Sequence, residues 1–342
     1  MTFEDPQNPN EKSTLRYKRL EKLGEGTYGE VYKAQDLLLD RFVALKKMKL
    51  EQDENGIPPT TLREMSILLS ISHPNIMKLE DFIINRTSLT FIFEYLEHDL
   101  RYYLIHTKSR IQMNLLRSYA YQILSGINCL HSHQILHRDI KPENILLNRE
   151  GYLKICDFGL ARHFDIPIRQ YSTNVVSQWY RAPELLLGAP LYGLPIDVWS
   201  AGCTIAEMCK GLPLFEGDSD VDQLHKIFKV LGTPLQGQCK LMNNTEYEID
   251  DETKQPKNVS FKMNFLNRND ENEYKIISSE VSFPIYQKKD LTKEIQTDNL
   301  ELIDLIQKML IFDPDKRITI QEAMKHPFFN SLPQTIRKMC SI

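Results

Sequence analysis

The 342-residue sequence has no apolar run approaching the ~20 residues a membrane-spanning helix needs, and it has no internal repeat. It has no surplus of either charge: 42 Lys and Arg stand against 46 Asp and Glu, a formal net charge of −4. That balance excludes the strongly basic surface by which a chain binds nucleic acid or anionic membrane through charge alone. Six cysteines (Cys129, Cys156, Cys203, Cys209, Cys239, Cys340) include no CxxC pair of the metal-binding kind. Most stand in apolar segments, which points to reduced thiols. Met1 to Ser13 is polar and acidic, without the apolar stretch of a signal peptide. In Cys340-Ser341-Ile342 the cysteine stands one place too near the end for a prenylation box. The expectation is a protein of cytoplasm, nucleus or both, with no membrane and no nucleic-acid partner. At this length two lobes or two domains are expected in place of one core.

What is present is a polar stretch set between apolar ones. His137-Arg138-Asp139-Ile140-Lys141-Pro142-Glu143-Asn144 follows a helix-like segment and precedes Ile145-Leu146-Leu147, which reads as a buried strand. A carboxylate, an ammonium and a carboxamide in one loop can accept a proton, neutralise a phosphate and hold a hard cation. Taken alone, the triplet at 137–139 is also what a capped turn looks like.

Residues 1–16 read as a tail. Val31–Ala34, Phe42–Leu45 and Leu89–Phe93 are short strand-like runs, interrupted by one helix that Pro58 and Pro59 can open, with Leu62, Met65 and Leu69 on one face. Leu23-Gly24-Glu25-Gly26-Thr27-Tyr28-Gly29-Glu30-Val31 lies between the first two strands. Its glycines let backbone N–H groups approach an anion. A strand follows it, where a dinucleotide fold would place a helix. That strand carries Lys46, and the helix after it supplies Glu64, a carboxylate able to orient the ammonium towards phosphates. After Leu96 the pattern turns helical: Leu116, Ala120, Ile123, Ile127 and Leu130 keep the spacing of a buried helix face, closed by His131 and His133. Asp157, in Cys156-Asp157-Phe158-Gly159, follows a strand and suits a carboxylate aimed at Mg²⁺. Cys156 beside it reads as packing. Leu302, Leu305, Ile306 and Met309 form another apolar helix face. Leu235 to Ser282 is rich in Asn, Asp, Glu and Lys without sustained period, and reads as a loop or insert, disordered in part.

The glycine loop, Val43-Ala44-Leu45-Lys46, Glu64, the 137–144 stretch, Asp157-Phe158-Gly159, Ala182-Pro183-Glu184, Asp197-Val198-Trp199-Ser200-Ala201-Gly202 and Arg317 occur in this order from Tyr17 to Phe329. In this the chain resembles a eukaryotic protein kinase. The resemblance implies an α+β, bilobal fold: a small lobe at about 17–95 with a five-stranded antiparallel sheet and one helix, a hinge near Glu94–Glu97, and a larger helical lobe at about 96–329. The insert at about 235–282 lies within the large lobe, and residues 330–342 form a C-terminal tail. Three features narrow the resemblance to the cyclin-dependent kinase family. Pro58-Pro59-Thr60-Thr61-Leu62-Arg63-Glu64 looks like the family's cyclin-binding helix. Thr27-Tyr28 matches its inhibitory phosphorylation pair. Gly217–Leu224, continuing to Leu231-Gly232-Thr233-Pro234, resembles the lead into its insert.

The resemblance implies ATP and Mg²⁺ as cofactors. Asp139 would orient the substrate hydroxyl and accept its proton, Lys141 would steady the transferring phosphoryl group, and Asn144 and Asp157 would hold Mg²⁺. Lys46, paired with Glu64, would hold the phosphates beneath the loop of Gly24, Glu25, Gly26, Thr27, Tyr28 and Gly29. The backbone of Glu94 and Leu96 would bind adenine between Leu23, Val31, Ala44 and Leu146, with Phe93 as gatekeeper and Asp99 near the ribose. Glu184 and Arg317 would form a buried structural pair. Three guanidinium groups, Arg63, Arg138 and Arg162, would repel one another unless a phosphate joined them. Ser172 stands where the family has its activating threonine, with Thr173 beside it, and either hydroxyl can carry that phosphate. Val175–Arg181 resembles the substrate platform, in which Val176 and Arg181 would favour proline after the phosphoacceptor. The partners implied are a cyclin-type subunit on the Pro58–Ile67 helix and proteins with Ser/Thr-Pro sites, in cell-cycle control. The competing readings are a mitogen-activated or cyclin-independent relative, and a pseudokinase scaffold. Tyr171-Ser172-Thr173 lacks the Thr-x-Tyr pair of the first, and the complete set Lys46, Glu64, Asp139, Asn144 and Asp157 argues against the last.

Overall fold

The computed structural model describes residues 16–26, 29–49, 59–85, 88–107, 110–163, 178–189, 192–235, 246–249, 256–268 and 274–340. Its first five strands, β1 (Tyr17–Gly26), β2 (Gly29–Asp36), β3 (Arg41–Lys49), β4 (Leu79–Ile84) and β5 (Ser88–Glu94), form an antiparallel sheet in the order β1-β2-β3-β5-β4. Both faces of this sheet are apolar. Val43, Leu45 and Ile92 pack with Tyr17, Ala34 and Ile83 on one side. Leu89, Phe91 and Phe93 join the main core with helix α1 (Pro59–Ser70) on the other. The three strand-like runs and the single helix of this lobe are where the sequence puts them.

The face of α1 differs from expectation. Glu64, Ile67 and Leu68 are buried, whereas Leu62 is 49% and Leu69 59% exposed and Met65 is half-buried. Apolar spacing is satisfied equally by two faces here, and the sheet selects the one that carries Glu64 to Lys46.

Beyond the hinge come β6 (His98–Asp99), α2 (Leu100–His106) and α3 (Met113–Ser132), then β7 (Ile135–Leu136), β8 (Ile145–Leu147), β9 (Leu153–Ile155) and β10 (Arg162–His163). α3 buries Leu116, Ala120, Ile123, Ile127 and Leu130, the face read from the sequence. α4 (Pro183–Leu186) and α5 (Pro195–Lys210) follow. α5 is buried from Ile196 to Cys209 and forms the axis of the lobe, against which α3 and α8 (Leu300–Met309) pack. The remaining helices are α6 (Asp220–Leu231), α7 (Leu291–Ile295), α9 (Ile320–Ala323) and α10 (Gln334–Met339). As expected, Glu184 and Arg317 form a buried pair. The guanidinium donates to both carboxylate oxygens at 2.7 and 3.0 Å, with Arg317 fully buried.

The segment read as a loop is corrected by the structure. β11 (Glu246–Ile249), β12 (Pro256–Arg268) and β13 (Tyr274–Pro284) form an antiparallel sheet in that order. Val259, Phe261 and Met263 alternate along β12 into the core, and with Phe283 they meet Phe228 of α6. The polar composition concealed a period of two: the inward positions are apolar and the outward ones are Asn, Ser and Lys. β12 also seals the chain beyond α4. The Asn264 N–H donates to the Leu187 carbonyl at 3.2 Å and its Nδ2 to the Gly188 carbonyl at 3.3 Å. Gly188 has φ +71°, and a Cβ there would collide with the Asn264 carbonyl oxygen, so both conformation and contact require glycine.

The C-terminal tail is packed. Cys340 is buried, and its carbonyl accepts from Ser125 Oγ of α3 at 2.9 Å and meets His73 Nε2, in the loop after α1, at 3.2 Å.

Candidate active site

Lys46 leaves β3 on the α1 side. Its Nζ lies 2.7 Å from Glu64 Oε1 and 3.1 Å from Asp157 Oδ1. Burial works against the Lys46 charge, but Asp157 and Glu64 outweigh it and hold the ammonium above its usual range. Burial likewise works to raise the Asp157 carboxyl, and Lys46 outweighs it, so that Asp157 titrates below the usual carboxylate range. The Asp157 side chain keeps 39% of its exposure and faces the cleft.

The loop at 137–144 is shaped from below. Arg138 has φ +70° and Asp157 φ +61°, left-handed conformations uncommon outside glycine. Asp197 of α5, wholly buried, accepts the His137 N–H at 2.9 Å and the Arg138 N–H at 2.8 Å, and meets His131 Nε2 at 3.0 Å. Burial pushes its carboxyl up, but His131 and the loop outweigh that and hold it low. The two chemistry-bearing segments are tied together. The Cys156 N–H donates to the Asn144 carbonyl at 2.9 Å, and His137 Nε2 meets the Cys156 carbonyl at 3.0 Å, with its ring against Phe158. The Cys156 thiol is pushed up by burial, in keeping with a packing role.

This frame brings three of the expected groups together. Lys141 Nζ is 2.9 Å from Asp139 Oδ2, and Asn144 Nδ2 donates to Asp139 Oδ2 at 2.7 Å and to its carbonyl at 2.8 Å. Both bonds use the Asn144 amide N–H₂ and not its Oδ1. A small cavity of about 50 Å³ adjoins them, lined by Arg138, Asp139, Leu160, Tyr180, Arg181 and Leu185 among others.

The glycine hairpin joins β1 to β2, with Gly26 opposite Gly29. A Cβ on Gly29 would run into the Lys47 carbonyl, so packing explains that glycine. A Cβ on Gly24 would meet nothing within 4 Å, so packing does not explain that one. Val31 and Ala44 lie on β2 and β3, and Leu23 on β1 is 46% exposed. Leu146 pairs with Asp99 across β8 and β6, and Asp99 caps α2 by accepting the Tyr102 N–H at 2.6 Å. Glu94 ends β5 with its carboxylate 2.7 Å from Lys154, and the half-buried Leu96 packs against the core.

The regulatory residues are only partly placed. Thr27, Tyr28, Ser172, Thr173 and Val176 lie outside the described residues, as do Pro58 and the side chain of Arg63. Arg138 Nε donates to the Leu160 carbonyl at 2.5 Å and its Nη1 to the Tyr192 hydroxyl at 3.0 Å. Arg162 pairs with Leu136, two residues before Arg138. Arg181 Nη1 is 3.5 Å from Asp220 Oδ1. The sequence reading gave no role to Asp197, Glu207, Tyr180 or Arg101, whose partners are 27 to 106 residues distant in the chain. The positions of Asp197 in the 197–202 motif and of Tyr180 in the 175–181 segment are the only local hints of them.

A lysine held between two carboxylates, over a loop that presents Asp, Lys and Asn in a two-lobed frame, defines a phosphoryl-transfer fold. The protein kinase domain family matches residues 17–329, and the chain belongs to that family. Members of the family use ATP and a divalent cation to phosphorylate proteins. Among the described residues no helix is long and apolar enough to cross a membrane.

Proposed function

We propose that the chain is a serine/threonine kinase, proline-directed, activated by a cyclin-type subunit and acting in cell-cycle control in the cytoplasm or nucleus. The observation that carries the catalytic part is the formed Lys46–Glu64–Asp157 contact above Asp139, Lys141 and Asn144.

The residues present fit ATP and Mg²⁺. Gly24 leaves space that packing does not claim, Lys46 is held charged, and the Asp157 carboxylate beside it keeps 39% of its exposure. Among the described residues no three His, Cys, Asp or Glu side chains form a metal cage. That suits Mg²⁺, which takes one or two protein groups and completes its shell with phosphates and water. Bound Mg²⁺ would neutralise charge developing on the phosphates. Asn144 and Asp157 would hold it. Lys46 would orient the α- and β-phosphates, and Glu64 keeps Lys46 in place. Asp139 would align the substrate hydroxyl and take its proton, while Lys141 would steady the γ-phosphoryl group. Positioning and charge supply most of the barrier reduction, because the reaction asks little covalent work of the protein.

The exposed Leu62 and Leu69 support the partner. They put apolar surface on the outer side of the helix whose inner side carries Glu64, so a subunit seated there would bear directly on the Lys46–Glu64 pair. The test is transfer of labelled phosphate to matched Ser-Pro and Ser-Ala peptides, with and without cyclin-type subunits. Stimulation that is lost in L62E/L69E, together with preference for Ser-Pro, is expected. Activity indifferent to every such subunit would overturn cyclin dependence, and equal use of both peptides would overturn proline direction.

A further inference from the structure

Arg101 lies on α2, two residues after Asp99, and its side chain turns into the large lobe. Its Nη1 donates to Glu207 Oε1 at 2.6 Å, and Glu207 on α5 is wholly buried. Glu207 Oε2 accepts the Tyr180 hydroxyl at 2.5 Å. Arg101 Nε is 3.8 Å from Glu143 in the catalytic loop, and its guanidinium lies over the Trp179 ring, 5.7 Å from the centroid. One cation therefore touches α2, the catalytic loop, α5 and the Gln178–Tyr180 turn that leads to Arg181.

The turn has separate anchors. Ser200 Oγ donates to the Tyr180 carbonyl at 2.7 Å, and Gln223 Nε2 to the Trp179 carbonyl at 3.1 Å. Tyr180 is buried besides. What Arg101 adds is not the fold of the turn but its connection to α2, through a carboxylate shared with Tyr180. Burial drives the Glu207 carboxyl up, and the Tyr180 hydroxyl and Arg101 are the groups that oppose it. Deprived of Arg101, the carboxylate would be a buried charge without a cation, and its geometry with Tyr180 would relax.

We propose that Arg101 is a positioning residue for the peptide substrate: through Glu207 and Tyr180 it fixes the peptide-binding turn relative to α2 and the nucleotide side of the cleft. The proposal rests on the reading of the segment around Trp179–Arg181 as the peptide platform. Small displacements of reacting groups are costly, so loosening this connection weakens productive peptide binding while leaving ATP binding intact.

The test measures kcat and both KM values for wild type, R101M, R101K and R101M/E207Q on the peptide the enzyme uses best. Gln at 207 keeps an acceptor for Tyr180 and removes the unpaired charge, so the double variant folds while the connection stays broken. R101M and R101M/E207Q are expected to raise the peptide KM about five- to tenfold, with the ATP KM within about twofold of wild type. R101K should recover part of the loss, and with Y180F and R101M/Y180F measured alongside, the double variant should be no worse than the worse of the two single variants. An unchanged peptide KM overturns the proposal. So does a parallel rise of both KM values, which would mean general loosening of the fold. A new preference for Arg or Lys in the peptide also overturns it, since Arg101 would then only be shielding Glu143 and Glu207. Failure of wild type to distinguish Ser-Pro from Ser-Ala would count against the proline-directed platform and leave the R101M comparison standing.

Discussion

Gly188→Ala tests whether the β11–β12–β13 sheet is built into the large lobe. Alanine at φ +71° costs about 1–2 kcal/mol for its left-handed backbone. The new Cβ must also displace the Asn264 carbonyl and lies 2.8 Å from the Asn264 Cβ. Relief requires β12 to move, with loss of two hydrogen bonds from Asn264 to Leu187 and Gly188. At about 0.5–1.5 kcal/mol each, these bring the total to about 2–5 kcal/mol. Gly211→Ala is the control: its φ is +83°, and a Cβ there meets nothing within 4 Å, so only the backbone cost applies, about 1 kcal/mol after the gain from a stiffer unfolded chain. The assay is urea unfolding followed by tryptophan fluorescence. The two tryptophans, Trp179 and Trp199, both lie in the large lobe. If Gly188→Ala were no more destabilising than Gly211→Ala, the sheet would not be seated on Leu187–Gly188.

Three further outcomes follow from the same geometry. Asp139→Asn should lower phosphate transfer at least about 100-fold while nucleotide binding, measured by fluorescent-analogue displacement, is retained. Asp197→Asn should destabilise by about 3 kcal/mol at pH 7. Because the folded state depresses the Asp197 pKa, its contribution is complete above the unfolded-state value near 4 and is lost as the pH falls through the folded-state value. The gap between wild type and variant in urea midpoints should therefore narrow only in acid, and a gap that widened there would contradict the assignment. Phe261→Ala should cost about 3–5 kcal/mol, since Phe261 is 2% exposed against Phe228 and Phe283, whereas Ser282→Ala on the exposed face of β13 should change unfolding by less than about 0.5 kcal/mol.

Much of the frame was legible because its signals are local. The alternation in Phe42–Leu45, the helix period from Leu116 to Leu130, and the close spacing of Asp139, Lys141 and Asn144 need no knowledge of distant partners. Glu64 could be matched to Lys46 because their elements are adjacent in the chain. What escaped was of three kinds. The β12 strand was locally legible, since Val259, Phe261 and Met263 alternate, but Asn- and Lys-rich composition was weighed above period. Asp197, Arg101 and Glu207 act through partners far off in sequence, and no local pattern tells a buried carboxylate from a solvated one. The α1 face failed for a third reason. Leu62, Met65 and Leu69 do share a face, but which face a helix buries is decided by what lies beneath it.

The bonds at Cys340 bear on how the chain reaches this fold. The carbonyl contacts His73 and Ser125, 267 and 215 residues earlier in sequence. During synthesis, at about 5–20 residues per second, the small-lobe sheet and α3 are made well before that partner exists. Until residue 340 is made, His73 and Ser125 have each other, at 3.3 Å, but not the Cys340 carbonyl that joins them to the end of the lobe. The order of translation therefore places this fastening late, and a nascent chain halted before α10 should show faster amide exchange at residues 71–77 than the finished protein.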